Sequence, residues 1–414
     1  MLRRIFKSGS LKGTVTFAVG GIGFSLANII LAAALPPAQF GLLSLFLALL
    51  QFGLACGPLG LDVVVKRHRP RVTLALVRRA ATSAVLVAAA IATGAKFFYD
   101  LSTVSALLLF AGGALGAGHF IIVGIYQSRA ELGWALSLEN APNYVLLLVA
   151  IIAILLSVHS AIPLMLGVVI GYVISNLLGW SRATREQADL AELNGAVALR
   201  EGLSSVSISL SRQLLWQLER FAIPKLISVD DLATYAVLAA VVGAPFRVTQ
   251  LGVAFTLIEK LRSAQDAVAA RTVLRREILV GLLLVVGSVG GVLLLAPLVF
   301  HFVLHDKYTI SPALMAATLA VGVARVAEGF STTVVTALGS SEKLARISAL
   351  GWMSLVVAIA GAVFGSRFGL AGILCGTCLG WLTLCAGGCV IGRNSFRRRF
   401  LVAAAAPETV PPED

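Results

Sequence analysis

The chain has 414 residues, 58% of them hydrophobic and only 13% charged, and its net charge is +13. The charged share is about half that of a soluble domain, which excludes a soluble globular enzyme and points to an integral membrane protein. Nucleic-acid binding is excluded as well, because Lys and Arg lie in short connections between apolar runs, with no basic domain or reading motif.

A membrane crossing needs about 20 mainly apolar residues. Twelve runs meet or approach this, at about 14–35, 40–62, 78–98, 103–125, 135–157, 160–181, 202–224, 232–258, 276–300, 312–337, 343–365 and 369–392. The first begins near Thr14 and is long enough to span, so it reads as a helix and not as a cleaved leader. With the N-terminus in the cytoplasm, 25 of the 33 basic residues fall in cytoplasmic connections, and only Lys96, Lys225, Lys307 and Arg367 fall outside. That bias predicts twelve crossings with both termini cytoplasmic.

Midway, "RATREQADLAELNGAVALRE" (Arg182–Glu201) is the longest internal connection. It divides a six-helix lobe at 1–181 from a second at 202–392, with 182–201 as linker and 393–414 as a basic, then disordered, tail. "LPPAQFGLLS" (Leu35–Ser44) and "ISVDDLATYA" (Ile227–Ala236) resemble each other at an offset of 192, as parallel repeats would. No connection is long enough for a folded catalytic domain.

Several stretches resemble the polysaccharide (oligosaccharide-lipid) flippases of the multidrug/oligosaccharidyl-lipid/polysaccharide exporter superfamily. "AAALPPAQFGLLSLFLAL" is similar to the family's turn between its first two helices, and "LERFAIPKLISVDDLATYAVL" to the turn after its seventh. "LVFHFVLHDKYTISPALM" resembles the Phe-Gly-x-x-Tyr region after helix nine, with His305 at the Gly position and Tyr308 matching; "FGLAGILCGTCLGW" resembles the Gly-rich start of helix twelve. The resemblance spans nearly the whole chain. It implies an all-α exporter with two six-helix lobes around a central cavity, in the bacterial inner membrane. The implied cargo is a polyprenyl-pyrophosphate-linked oligosaccharide, with membrane lipids, a polysaccharide polymerase and glycosyltransferases as partners. Two departures separate the chain from other branches. It lacks the two extra helices of lipid II flippases, and its first two runs offer only Asn28, Gln51 and Asp62 where multidrug exporters use membrane acids.

The seventh run, "SISLSRQLLWQLERFAIP" (Ser207–Pro224), is the polar exception. A charge at bilayer centre costs about 2.5–3.5 kcal/mol on insertion scales and needs a partner, a wet cavity or a function. Arg212, Trp216 and Arg220 recur at i, i+4 and i+8 and form one stripe. Arg247 and Arg325 also lie mid-run, so four arginines face two nearby acids, Glu219 and Glu328. Arginine forks suit pyrophosphate, and Trp216 suits a sugar face. The alternative is structural pairing, Arg325 with Glu328 at i, i+3 and Arg220 with Glu219 or a neighbouring helix; Arg212 and Arg247 have no acid close in sequence. Glu328, Glu219 and Asp62 are the candidates for coupling to protons or sodium.

Other signals favour plain readings. "CGTC" (Cys375–Cys378), with Gly372, Gly376 and Gly380, reads as a close-packing face. His119 reads as a packed residue. His301 and His305 have zinc-like spacing but lie at an interface. No catalytic triad, metal cluster or cofactor motif is present, and the expectation is a non-enzyme. The competing functions are a cation-coupled multidrug exporter and, less favoured, a membrane polysaccharide polymerase or ligase.

Overall fold

The computed structural model describes residues 9–68, 72–129, 131–184 and 195–402. Arg3, Arg4, Lys7, Arg69, Arg71, Arg185 and the tail beyond residue 402 lie outside these. Every element among the described residues is helical. In order they are α1 (Gly9–Ala34), α2 (Pro37–Cys56), α3 (Leu61–His68), α4 (Leu74–Tyr99), α5 (Thr103–Ser128), α6 (Leu132–Leu155) and α7 (Ala161–Ala183). Then follow α8 (Gly195–Leu226), α9 (Val229–Val241), α10 (Gly243–Arg262), α11 (Ala267–Leu298), α12 (Pro312–Leu338), α13 (Ser341–Gly365) and α14 (Gly369–Arg397).

Short polar caps set the starts. Ser102, Ser228, Asp266 and Ser311 each accept a backbone N–H three residues on, and Pro37 and Pro312 occupy first-turn positions where no N–H is needed. Two predicted runs are broken in the structure. The second ends at Cys56, and the chain turns through Leu59 and Gly60 into α3, both at positive φ. A Cβ on Gly60 would lie 2.1 Å from the Gly202 carbonyl of α8, so this contact requires glycine on two counts. The eighth run bends by 52° between α9 and α10, where Pro245 cannot donate to the helical ladder.

Eight helical stretches among the described residues are long and apolar enough to cross a membrane, nine if the bent α9–α10 pair counts as one. One of them, Glu342–Phe400, is a hairpin: Gly365 meets Gly372 and Gly361 meets Gly376 with backbones in contact, so α13 and α14 run antiparallel. The small residues around "CGTC" serve this close approach, and all five cysteines are free. The basic run after Gly392 continues as helix to Arg397 and as a wider π-helical turn to Val402, and the tail expected to be disordered after Phe400 lies, beyond residue 402, outside the described residues.

Helix boundaries repeat along the chain. Helices α2 and α9 start 192 residues apart (37 and 229), and α4 and α11 start 193 apart (74 and 267). The next three pairs, α5 with α12, α6 with α13 and α7 with α14, start 208 or 209 apart. The extra residues lie in a longer α11 and in the connection 299–311, which replaces the short 100–102 of the first half.

The halves meet where α1, α2 and α3 pack on α8, α9 and α10. Contacts gather the connections after α1, α4, α6, α8 and α11 at one end: Gln39 accepts from the Ala161 N–H, Tyr99 donates to the Phe221 carbonyl, and Gly41 abuts Val229. The Arg-rich connections occupy the other end, called here the basic end. The main apolar core runs through both halves and includes Phe40, Phe46, Phe246 and Trp381.

Candidate functional site: a cationic cluster between α8, α10, α12 and α14

Helix α8 brings Arg212, Trp216, Glu219 and Arg220 against α12 and α14. Arg212 Nη2 donates to Glu328 Oε1 at 2.8 Å and to Thr332 Oγ1 at 3.2 Å, while Gln250 of α10 donates to the other Glu328 oxygen at 3.1 Å. Arg325 Nη2 donates to Glu219 Oε1 at 2.8 Å, and the Thr377 hydroxyl of α14 donates to the same oxygen at 3.2 Å. Both carboxylates are fully buried; the Arg325 side chain is 15% exposed and that of Arg212 is 42% exposed. A buried carboxylate left without its cation costs several kcal/mol, so each acid takes a cation from the facing helix.

The local alternative does not form: Arg325 does not pair with Glu328 at i, i+3, and Arg212, which has no acid close in sequence, finds Glu328 on another helix. Arg220 likewise forms its hydrogen bond to Gln217 Oε1 at 3.1 Å and none to Glu219. Gln217 in turn donates to Gln51 of α2 at 2.8 Å, joining the cluster to the first half.

Arg247 stands apart. Its side chain is exposed, no carboxylate among the described residues pairs with it, and its guanidinium lies 5.7 Å from the Phe24 ring of α1 and 6.0 Å from Trp216. Trp216 also receives Arg325 at 4.8 Å and meets Trp381 edge-on at 5.6 Å. Aromatic faces can hold guanidinium groups by cation–π attraction without neutralising them. Four arginines against two glutamates leave an excess of two positive charges around Trp216.

Asp62 lies elsewhere. It is buried on α3 with Lys66 Nζ at 3.8 Å, and Lys66 sits over Phe120. Gln127 of α5 donates to Glu139 of α6 at 3.3 Å, and Lys66 also acts on Glu139 electrostatically. Glu139 is a membrane acid of the first half that sequence reasoning missed; its position beside Asn140 inside the fifth run was the available signal. His119 is buried, bonded to the Leu138 carbonyl and edge-on to Tyr172. His301 pairs with Asp306 at 2.8 Å. Among the described residues, no three His, Cys, Asp or Glu side chains come together as a metal site requires.

No family model matches the chain, and no curated protein matches it. Solved structures do. A multidrug resistance MATE family transporter of the MOP superfamily, in its inward-facing conformation, superposes with a TM-score of 0.72 at 15% identity over 93% of this chain and 96% of that one. An outward-facing structure of a transporter so described gives 0.61 at 14% identity, over 95% and 98%. A MOP superfamily transporter from Pyrococcus furiosus, described by the reverse polarity of its binding pocket, also gives 0.61 at 14%, over 94% and 96%. The chain therefore has the two-lobed, all-helical fold of these membrane transporters.

Proposed function

We propose that this protein is an alternating-access exporter that moves a polyprenyl-pyrophosphate-linked oligosaccharide from the cytoplasmic to the outer leaflet of the bacterial inner membrane. The observation that carries the reading is Arg247, an exposed arginine without a carboxylate among the described residues, set by the Trp216 ring, which stands one helical turn along α8 from the half-open Arg212. Phosphate oxygens would complete the donors of both arginines, and an apolar or saccharide face would cover the indole. Arg220 and Arg325 would hold the field positive from behind, since both already have protein partners.

In this reading the basic end is cytoplasmic, as are both termini. The crossings number twelve. Helices α4, α5, α6, α7, α11 and α12 make six of them, the α13–α14 hairpin and the broken α2–α3 and α9–α10 pairs make four, and α1 and polar α8 complete the count. The halves are 1–181 and 202–392, joined by 182–201 and followed by 393–414, and the repeated helix boundaries support their common plan. Glycosyltransferases and a polymerase would supply and consume the cargo. Glu328, Glu219 or Asp62 would take the coupling ion.

A second reading, a cation-coupled multidrug exporter, is favoured by the similar solved structures and by Asp62 and Glu139 in the first half. Purified protein in liposomes separates the two. Appearance of a lipid-linked oligosaccharide in the opposite leaflet, unchanged in mass, supports the first. Cation-dependent efflux of a drug, with no lipid movement, supports the second.

A further inference from the structure

We propose that Lys307 and Tyr308 form a latch that holds the end remote from the basic connections shut, by capping the C-terminus of α1 across the boundary between the halves. The proposal rests on the alternating-access reading, since only a protein whose halves separate at that end needs such a contact.

The last carbonyls of a helix have no intrahelical partner and carry the negative end of its dipole. At the end of α1, Lys307 Nζ donates to the carbonyls of Ala32 at 2.9 Å, Ala33 at 3.3 Å and Leu35. An ammonium has three donors, and all three are engaged. The Tyr308 hydroxyl donates to the Ala32 carbonyl as well, at 3.1 Å, from a buried position. Four bonds from two consecutive residues of the second half thus converge on one turn of the first half.

The connection that carries them is where the second half departs from the repeat. It runs from Val299 to Ser311, where the first half has only Asp100 to Ser102. His305 and Asp306 both take positive φ, at 50° and 54°, and turn the chain back toward α1; Asp306 is fixed by His301. Non-glycine residues rarely take positive φ, and two in succession are rarer still, so the turn is held in place by its contacts. The acceptors are backbone carbonyls, with no carboxylate, so opening the latch strands no buried acid. Water can replace the lysine at a helix end, which suits a contact made to be broken. Helix α1 also carries Phe24, which stands over Arg247. One helix therefore touches both the latch and the cationic site.

The test uses the full chain in nanodiscs, with spin-labelled unnatural amino acids at Val104 and Phe368. These exposed positions lie at the latched end, one in each half, and the native cysteines stay in place. Lys307→Met should raise the long-distance population about tenfold, the equivalent of one charge-assisted hydrogen bond, and Lys307→Arg, which still donates, should remain near wild type. Tyr308→Phe, a milder change that keeps the protein folded if Lys307→Met does not, should raise it less. Unchanged distance distributions in Tyr308→Phe and in every folded Lys307 variant would overturn the latch, whatever the protein transports. Opened distributions alongside a wild type that moves neither lipid nor drug would retain the latch and remove the transporter reading.

Discussion

Arg325 and Glu328 sit one turn apart on α12, yet each bonds a residue of α8 at 2.8 Å, Glu219 and Arg212 respectively. The two pairs cross between the same helices and clamp them at two levels. Both acids are fully buried, so each pair is a condition of folding before it is a binding element.

Arg212→Gln should therefore destabilise the protein. It strands Glu328, whose one remaining side-chain hydrogen bond, from Gln250, and Arg212's own partial exposure put the loss near the lower end of the range for broken buried pairs, about 3 kcal/mol. Glu328→Gln in the same chain should recover much of this, because the uncompensated charge is gone. Melting temperatures in detergent for the two single variants and the double decide it. Additive losses would show that the pair is not coupled.

Arg247→Gln should behave in the opposite way. With no carboxylate to strand, the variant should melt within a few degrees of wild type. Its transport should fall about 10- to 100-fold if the guanidinium contacts a phosphate, on the scale of about 1.5–3 kcal/mol for a hydrogen bond to a charged group. Arg247→Lys should recover part of the rate, retaining charge without the fork. Flipping assays and melting curves on the same preparations check both halves of this expectation.

The contrast between these arginines marks the limit of legibility in the sequence. The membrane class, the helical architecture and the polar stripe at Arg212, Trp216 and Arg220 follow from composition and spacing. The 192-residue offset read from Leu35 and Ile227 reappears in the starts of α2 and α9. Pairing did not follow, because it depends on which helix faces which. Within one helix, i, i+3 spacing offers Arg325 and Glu328 to each other, and side chains reaching between α12 and α8 override that local choice. Glu139 was passed over for a related reason: one acid in an apolar run looks incidental until α3 and α5 bring Lys66 and Gln127 beside it. The breaks at Gly60 and Val242 were hidden by hydropathy, which counts apolar residues and ignores backbone direction.

Close helix approach in the α13–α14 hairpin gives a steric prediction. A Cβ on Gly376 would stand 2.1 Å from the Gly361 carbonyl, a contact the opposing backbone can relieve only by moving. Gly376→Ala should cost about 1–3 kcal/mol, the range for overpacking a filled interior. Gly287→Ala, where an added methyl meets nothing within 4 Å, should be neutral or slightly stabilising. Equal melting temperatures for the two variants would mean that the hairpin is looser than its glycines imply.

The charge of the two halves separates the two transport readings. The second half presents four arginines and two buried acids around Trp216, whereas the first half groups Asp62 and Glu139 around one lysine. A substrate that is a lipid pyrophosphate takes its binding energy from the arginine side, and Glu139 has no favourable contact to offer it. Glu139→Gln should then leave lipid flipping near wild type, since Glu139 is held by Gln127 in the first half and bonds none of the cluster arginines, while Arg247→Gln abolishes most of it. A cationic drug reverses the order: it is repelled by Arg247 and held by Glu139, so Glu139→Gln would remove efflux and Arg247→Gln would leave or raise it. Glu139→Gln keeps side-chain volume, Arg247→Gln keeps two hydrogen-bond donors while losing the cation and the fork, and neither removes a partner from Glu219 or Glu328. Transport of both substrate classes, measured for both variants in the same liposomes, therefore reports charge rather than folding. Loss of lipid flipping in Glu139→Gln with retention in Arg247→Gln would overturn the assignment of the arginine cluster to the cargo.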